Sequence, residues 1–220
     1  MACALYYKTA FHRQIRNALR DLGGLVPAFL TEWGAFLATS SSDPGVWAWD
    51  RFTARTVLGY ADEDYLSATY WQYKSFADLT TQATDKHGKP CEGMFDGNNS
   101  FLPEKAAMLA RPYAPAVSGI GATMSFDEDS RTFVLKFVST PPSSDRHGGP
   151  APADTTVIFV SPLTYALDRL EVAADPPEMF DVTVDTRALP RRVLVRRVSP
   201  FGGAPWTGTA TVTVREAGAG

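Results

Sequence analysis

Apolar positions in the first part of the chain recur at helical spacing. Phe11, Ile15, Leu19 and Leu22 follow one another at intervals of four, four and three, which places them on one face of an amphipathic helix over residues 10–22. His12, Arg13, Arg16, Asn17 and Arg20 take the opposite face, and Gly23-Gly24 supplies the left-handed conformation that closes such helices. Residues 26–33 then form a short run with a single charge, Glu32, near its C-terminal end. An apolar run of that length between glycines reads as a parallel strand buried on both faces. Residues 39–45 read as a polar loop and residues 52–65 as a weaker helix interrupted by Gly59. Residues 68–74, with Thr69, Tyr70, Trp71 and Tyr73, read as a second parallel strand. A long loop with Gly88, Pro90, Gly93 and Gly97 leads to a short helix that Pro103 opens and that packs through Ala106 to Leu109. Helices and strands alternating in this order are the wrapping of an α/β protein.

Near residue 115 the periodicity changes to two. Phe133, Leu135 and Phe137 alternate with Thr132, Val134 and Lys136, and Thr211, Thr213 and Arg215 alternate with Val212 and Val214. With residues 122–126, 156–160, 170–172, 180–184 and 193–198 this gives about seven short strands in about 100 residues, the count and spacing of an immunoglobulin-like antiparallel β-sandwich. Residues 141–152, PPSSDRHGGPAP, are a loop by composition. The expected organisation is an α/β part over residues 1–114 followed by an all-β domain over residues 115–220.

Composition narrows the partners. With 45% hydrophobic and 20% charged residues the chain is globular and long enough to bury a core without disulfides. A net charge of −3 offers no phosphate-binding surface, which argues against nucleic acid. Two cysteines, Cys3 and Cys91, make neither a disulfide framework nor a metal cluster, and their state stays open. His12, His87 and His147 are scattered without metal-ligand spacing, so no metal site is expected. The start lacks the pattern of a secretory signal, and the uncharged stretch 112–126 is broken by Pro115, Gly119 and Gly121 and too short to span a bilayer, which leaves the compartment open. Asn98-Asn99-Ser100 matches a glycosylation acceptor, a pattern common by chance.

Two segments carry candidate chemistry. Glu32, in Phe29-Leu30-Thr31-Glu32-Trp33-Gly34, is a carboxylate at the C-terminal end of a strand, where barrel enzymes place catalytic groups. Spacing alone also admits, and leans to, a solvated or ion-paired glutamate at a strand exit. Trp71, in Tyr70-Trp71-Gln72-Tyr73-Lys74, is a platform for a sugar ring or a core tryptophan. Glu63-Asp64 and Asp127-Glu128-Asp129 read as solvated turn residues. The basic run Arg191 to Arg197 reads as an exposed strand face, an edge guarded by charge, with an anionic-lipid or partner site as the alternative. No phosphate-binding loop, dinucleotide motif or Gly-x-Ser-x-Gly elbow occurs.

Taken together and in order, these segments resemble the seventh and eighth strands of glycoside hydrolase family 5, an eight-stranded β/α barrel. Trp71 to Thr81 and Leu109 to Gly119 resemble its endoglycoceramidase branch, which appends a C-terminal β-sandwich. The resemblance spans about residues 8–216 and is strongest over 26–138. It implies that Glu32 is the nucleophile of a retaining β-glycosidase, that Trp71 lines the subsite at the scissile bond, and that Gln72 or Lys74 contacts sugar or the polar part of a lipid. It implies a glycolipid or oligosaccharide substrate, contact with a membrane surface or micelle, a secreted or endomembrane/lysosomal setting and no cofactor. Oligomeric state does not follow from it. In that family the acid/base is a Glu after Asn on the fourth strand. This chain has no Asn-Glu dipeptide, and its text corresponds to the barrel after its sixth strand. The expectation is therefore a C-terminal portion with little hydrolysis of its own, and with open strand edges prone to association. An exo-acting glucosylceramidase or steryl glucosidase of the same family, or a non-catalytic glycolipid-binding sandwich, are the alternatives.

Overall fold

The computed structural model describes residues 2–21, 23, 28–74, 92–140, 154–187, 189–198 and 206–218, with the side chains of residues 2–8, 11 and 12 left aside. The expectations placed on residues 141–152, on Cys91, His87 and His147, on residues 75–81, and on the side chains of Cys3, Phe11, His12 and Leu22 lie outside the described residues. Two compact units divide the chain, one ending at Leu109 and the other starting at Ala110.

The first unit runs α1 (Ala2–Asp21), β1 (Phe29–Trp33), α2 (Pro44–Glu63), β2 (Ser67–Tyr70) and α3 (Pro103–Leu109). Helix α1 begins eight residues before the start read from its apolar stripe, and Gly23, at a φ of 64°, ends it by donating to the Arg20 carbonyl at 2.8 Å. Helix α2 also starts eight residues earlier than expected. Asp43 caps it, its carboxylate accepting from the Val46 amide at 3.1 Å, and Pro44 fills the first turn, where no amide partner is needed. Gly59 does not interrupt it. The acidic pair that follows reaches α1, with Arg16 at 3.8 Å from Glu63 and 4.0 Å from Asp64.

β1 and β2 pair in parallel, Leu30 opposite Ala68 and Trp33 opposite Tyr70. Both are shorter than their apolar runs, and β1 is not buried on both faces. Phe29 is 54% exposed, because among the described residues these two strands are the whole sheet. Trp33, Phe36, Ala54, Val57, Met94 and Met108 form the core of this unit. Tyr70 knits it together, its ring 5.1 Å from Trp33 and 5.5 Å from Phe36.

The second unit is a sandwich of two four-stranded sheets. Its strands are β3 (Tyr113–Ala116), β4 (Gly119–Asp127), β5 (Thr132–Ser139), β6 (Thr155–Phe159), β7 (Leu170–Asp175), β8 (Phe180–Asp185), β9 (Arg192–Arg197) and β10 (Gly208–Glu216). The orders are β4-β5-β10-β7 and β3-β6-β9-β8, every pair antiparallel. β3 is the strand that periodicity missed: at four residues including Pro115 it is too short to show alternation, and an edge position tolerates the proline. Phe133, Leu135 and Phe137 from one sheet meet Ile158, Val193 and Val195 from the other, each burial contributing about 1.5–3 kcal/mol.

The arginine-rich run corrects an expectation. β9 lies between β6 and β8, so it is no edge, and Val193, Val195 and Arg197 point inward. Arg197 donates to Asp154 at 2.8 Å, to the Thr140 carbonyl at 2.5 Å and to Ser139 at 3.2 Å, which satisfies its buried guanidinium. Asp127 to Asp129 form the expected turn, Asp127 accepting from the Ser130 amide at 2.6 Å.

Glu216 closes the sandwich. At 5% exposure it accepts from Arg131 at 2.9 Å, Arg169 at 2.5 Å and the Ala166 amide at 3.3 Å. The Ala166 amide, then the arginines, hold its carboxyl below the ordinary 4.5. A lowered folded value makes this stabilisation complete above the unfolded value and lost as pH falls through the folded one. Glu216→Gln is therefore expected to lower the melting temperature of the sandwich at neutral pH, with the gap to the parent closing steadily below about 4.5. A gap independent of pH in melts from neutral to strongly acid buffer would contradict it.

Candidate active site

The parallel pairing brings two of the expected residues to neighbouring strand exits. Along β1 successive side chains alternate, so with Trp33 buried in the core Glu32 stands on the opposite side and is exposed. The register slips between Leu30 and Trp33, where Thr69 donates through its hydroxyl to the Thr31 carbonyl beside Glu32. β2 ends at Tyr70, and the Trp71 amide extends the ladder by donating to the Trp33 carbonyl at 2.8 Å. Trp71 and Gln72 are half-buried just past that end, joined by a cis peptide. Lys74 is half-buried as well, its ammonium 5.2 Å from the centre of the Phe95 ring. Tyr73, 69% exposed, packs on that ring at 5.4 Å and Phe101 packs on it at 5.5 Å.

The segment that follows Glu32 is held at four successive residues. Tyr70 shares its hydroxyl between the carbonyls of Ala35 and Glu92, each 2.9 Å away. Lys105, only 2% exposed, donates to the Phe36 carbonyl at 2.8 Å. Asp50, 3% exposed, accepts from the Leu37 amide and from the Ala38 amide, the latter at 3.1 Å. Burial pushes the Asp50 carboxyl up, against the Ala38 and Leu37 amides and the Lys105 charge.

A third carboxylate belongs to this region. Glu92 Oε1 would lie 2.9 Å from a Cβ on Gly34, and the Trp71 carbonyl oxygen 3.0 Å from it, so only glycine fits there without movement. Burial and then the Glu32 charge raise the Glu92 carboxyl, with Lys105 opposing. Sequence reasoning missed Glu92, Asp50 and Lys105. The one signal available was a lysine inside the apolar stretch of a short helix, Lys105 among Ala106, Met108 and Leu109. Asn98 to Ser100 sit in an exposed turn that Asp96 closes through the Asn98 and Ser100 amides. Among the described residues no group of three or more His, Cys, Asp or Glu gathers as a metal site, and no helix is long and apolar enough to cross a membrane.

The fold class is a fragment of a β/α barrel followed by an antiparallel sandwich. Residues 111–197 match the family model of the glycoside hydrolase family 5 C-terminal domain. The fold matches endo-glycoceramidase II from Rhodococcus sp., in a five-membered iminocyclitol complex and as a lactosyl-enzyme intermediate, with a TM-score of 0.59 and 22% identity in each. It also matches Cryptococcus neoformans sterylglucosidase 1 with a TM-score of 0.64 and 14% identity. The alignments cover 96% of this chain but 37% and 32% of those proteins, so the chain spans about a third of their length. Comparison with curated protein sequences gives no match.

Proposed function

We propose that this chain supplies the nucleophile side of a retaining β-glycosidase that acts on glycosphingolipids in the manner of an endoglycoceramidase. The observation that carries the reading is the exposed Glu32 on a parallel strand whose neighbour exits at Trp71. In this reading residues 1–114 are the seventh and eighth strands of the barrel with their helices, and residues 115–220 the appended sandwich.

Glu32 attacks the anomeric carbon of the sugar joined to ceramide, and the bond from that carbon to the ceramide oxygen breaks. A carboxylic acid from the remainder of the barrel, about 5–5.5 Å away as retention requires, gives the leaving oxygen its proton. The same group then takes a proton from water, which cleaves the glycosyl ester and regenerates the Glu32 carboxylate. Trp71 stacks on the ring, Gln72 hydrogen-bonds to it, and Lys74 meets the polar part of the lipid. The sandwich helps to present the enzyme to a membrane or micelle. A structure of a lactosyl-enzyme intermediate, recorded for the Rhodococcus enzyme, supports the covalent step. The likeness to a sterylglucosidase favours a second reading, exo-acting hydrolysis of a steryl or ceramide glucoside by the same groups.

The test is hydrolysis of fluorescent lactosylceramide and of a steryl glucoside, by this chain alone and by a barrel-complete form in which upstream sequence of its gene precedes it. The expected result is intact lactose released from ceramide by the barrel-complete form, with at least 10²-fold less from the chain alone, since acid assistance by itself accounts for about 10²–10⁴-fold. Release of glucose from the steryl glucoside alone establishes the second reading. Binding of glycolipid by residues 115–220 without hydrolysis by either form sinks both.

A further inference from the structure

We infer that Glu92 is a substrate-binding carboxylate of the same site, accepting hydrogen bonds from hydroxyls of the sugar ring that Glu32 attacks. This rests on the reading of Glu32 as nucleophile and adds to it the group that selects the sugar. Three observations carry it. The first is position: the Glu92 carboxyl lies against Gly34, two residues past Glu32, and the Trp71 carbonyl approaches the same point. It therefore stands between the exits of β1 and β2, where a ring stacked on Trp71 and facing Glu32 has its hydroxyls.

The second is that its backbone is fixed there from two sides. The Glu92 carbonyl accepts from the Tyr70 hydroxyl at 2.9 Å, and the Met94 amide donates to the Tyr73 carbonyl at 2.9 Å, with the Met94 side chain in the core. A site built on such anchoring holds its groups closely enough for recognition. The third is unused acceptor capacity. Among the described residues no hydrogen bond or ion pair engages the Glu92 oxygens, although the side chain is half-buried. A carboxylate has about four lone-pair sites, and leaving them without donors as solvent is displaced is costly. Two neighbouring sugar hydroxyls supply donors, with a bidentate fit and no change in charge. Burial and the Glu32 charge together raise the Glu92 carboxyl, consistent with a group that gains from neutral donors.

The test is kinetic and uses the barrel-complete protein with nitrophenyl β-lactoside and its analogues lacking, one at a time, a hydroxyl of the ring that becomes attached to Glu32. Glu92→Gln is expected to lower kcat/KM on the parent substrate about 10- to 100-fold, the range of a lost charge-assisted hydrogen bond. That loss should nearly vanish on the analogue lacking the hydroxyl that Glu92 reads. An equal loss on every analogue, or none on the parent, overturns the inference. Glu92→Asp, which keeps the charge but withdraws it, covers the case in which the amide variant fails to fold, and should show the same substrate pattern. Loss of the pattern in Glu92→Gln while Glu32→Ala is inactive refutes the role of Glu92 alone; an active Glu32→Ala refutes the underlying reading. The placement is checked separately in the chain itself. The carboxyl carbon of Glu92, followed by NMR, should titrate at lower pH in Glu32→Gln than in the parent, and an unmoved midpoint contradicts the pairing.

Discussion

Glu32→Ala in the barrel-complete protein is expected to lower kcat/KM for glycosylceramide by about 10⁴-fold or more, the scale on which removal of an enzymatic nucleophile is felt. The effect should be separable from stability. Glu32 is exposed at a strand end, with Trp33 rather than Glu32 packed in the core, and substitutions at such surface positions usually stay within about 0.5 kcal/mol. A variant that melts like the parent yet does not turn over therefore reports on chemistry. Chemical rescue sharpens the result. With the carboxylate gone, azide can enter from the face it occupied, displace the activated aglycone and leave a glycosyl azide of inverted anomeric configuration. Recovery of turnover with that product identifies Glu32 as the attacking group. Normal turnover in Glu32→Ala, or azide rescue that retains configuration, would remove it from that role. The same variant protein, expressed from the chain alone, should be as stable as its parent.

The sandwich was legible because burying one face of a strand imposes alternation, and residues 132–138 and 211–215 carry it without interruption. Lateral order was not legible. Alternation in Arg192–Arg197 shows two faces but not whether neighbours lie on both sides, so an interior strand read as a guarded edge. Asp43-Pro44 is a helix start, hidden in a Ser-rich stretch that suggested a loop. At the candidate site, Glu32 stood out as the single charge of an apolar run and Trp71 as a large aromatic within a strand-forming one. Glu92 could not stand out. It follows a Gly- and Pro-containing loop with no periodicity, and its place against Gly34 is a tertiary fact separated by 58 positions, as is the meeting of Lys105 with the Phe36 carbonyl across 69. A chain's local pattern encodes which face is buried, whereas polar contacts of that range depend on how elements are assembled.

Lys105→Met is expected to cost the first unit about 3–5 kcal/mol at neutral pH, the range for stranding a buried charge. Lys105 and Asp50 are both buried, and between them they hold the Phe36 carbonyl and the Leu37 and Ala38 amides, the residues that carry the chain away from Glu32 and Gly34. Methionine keeps most of the volume but leaves a carbonyl without its donor and the Asp50 carboxylate without the cation that offsets it. The pH dependence follows from Asp50. Its carboxyl already lies above the ordinary 3.8, burial being the largest cause, so the folded state holds its proton more tightly than the unfolded one. Stability from that proton is complete below the unfolded value and lost as pH rises through the folded value. Removing Lys105 raises the folded value further, so the deficit of Lys105→Met should grow with pH and shrink in mild acid. Asp50→Asn combined with Lys105→Met should cost less than the sum of the two single changes, because the second no longer strands a charge. Denaturant unfolding followed by tryptophan fluorescence, with Trp33, Trp47, Trp49 and Trp71 in the first unit, measures all three variants. A loss below about 1 kcal/mol at neutral pH, with no pH slope, would mean that water rather than Lys105 compensates Asp50. The expected outcome instead ties the segment after Glu32 to a buried charge pair. Hydrogen exchange at the Leu37 and Ala38 amides should then accelerate in Lys105→Met, reporting a loosened strand exit after Glu32.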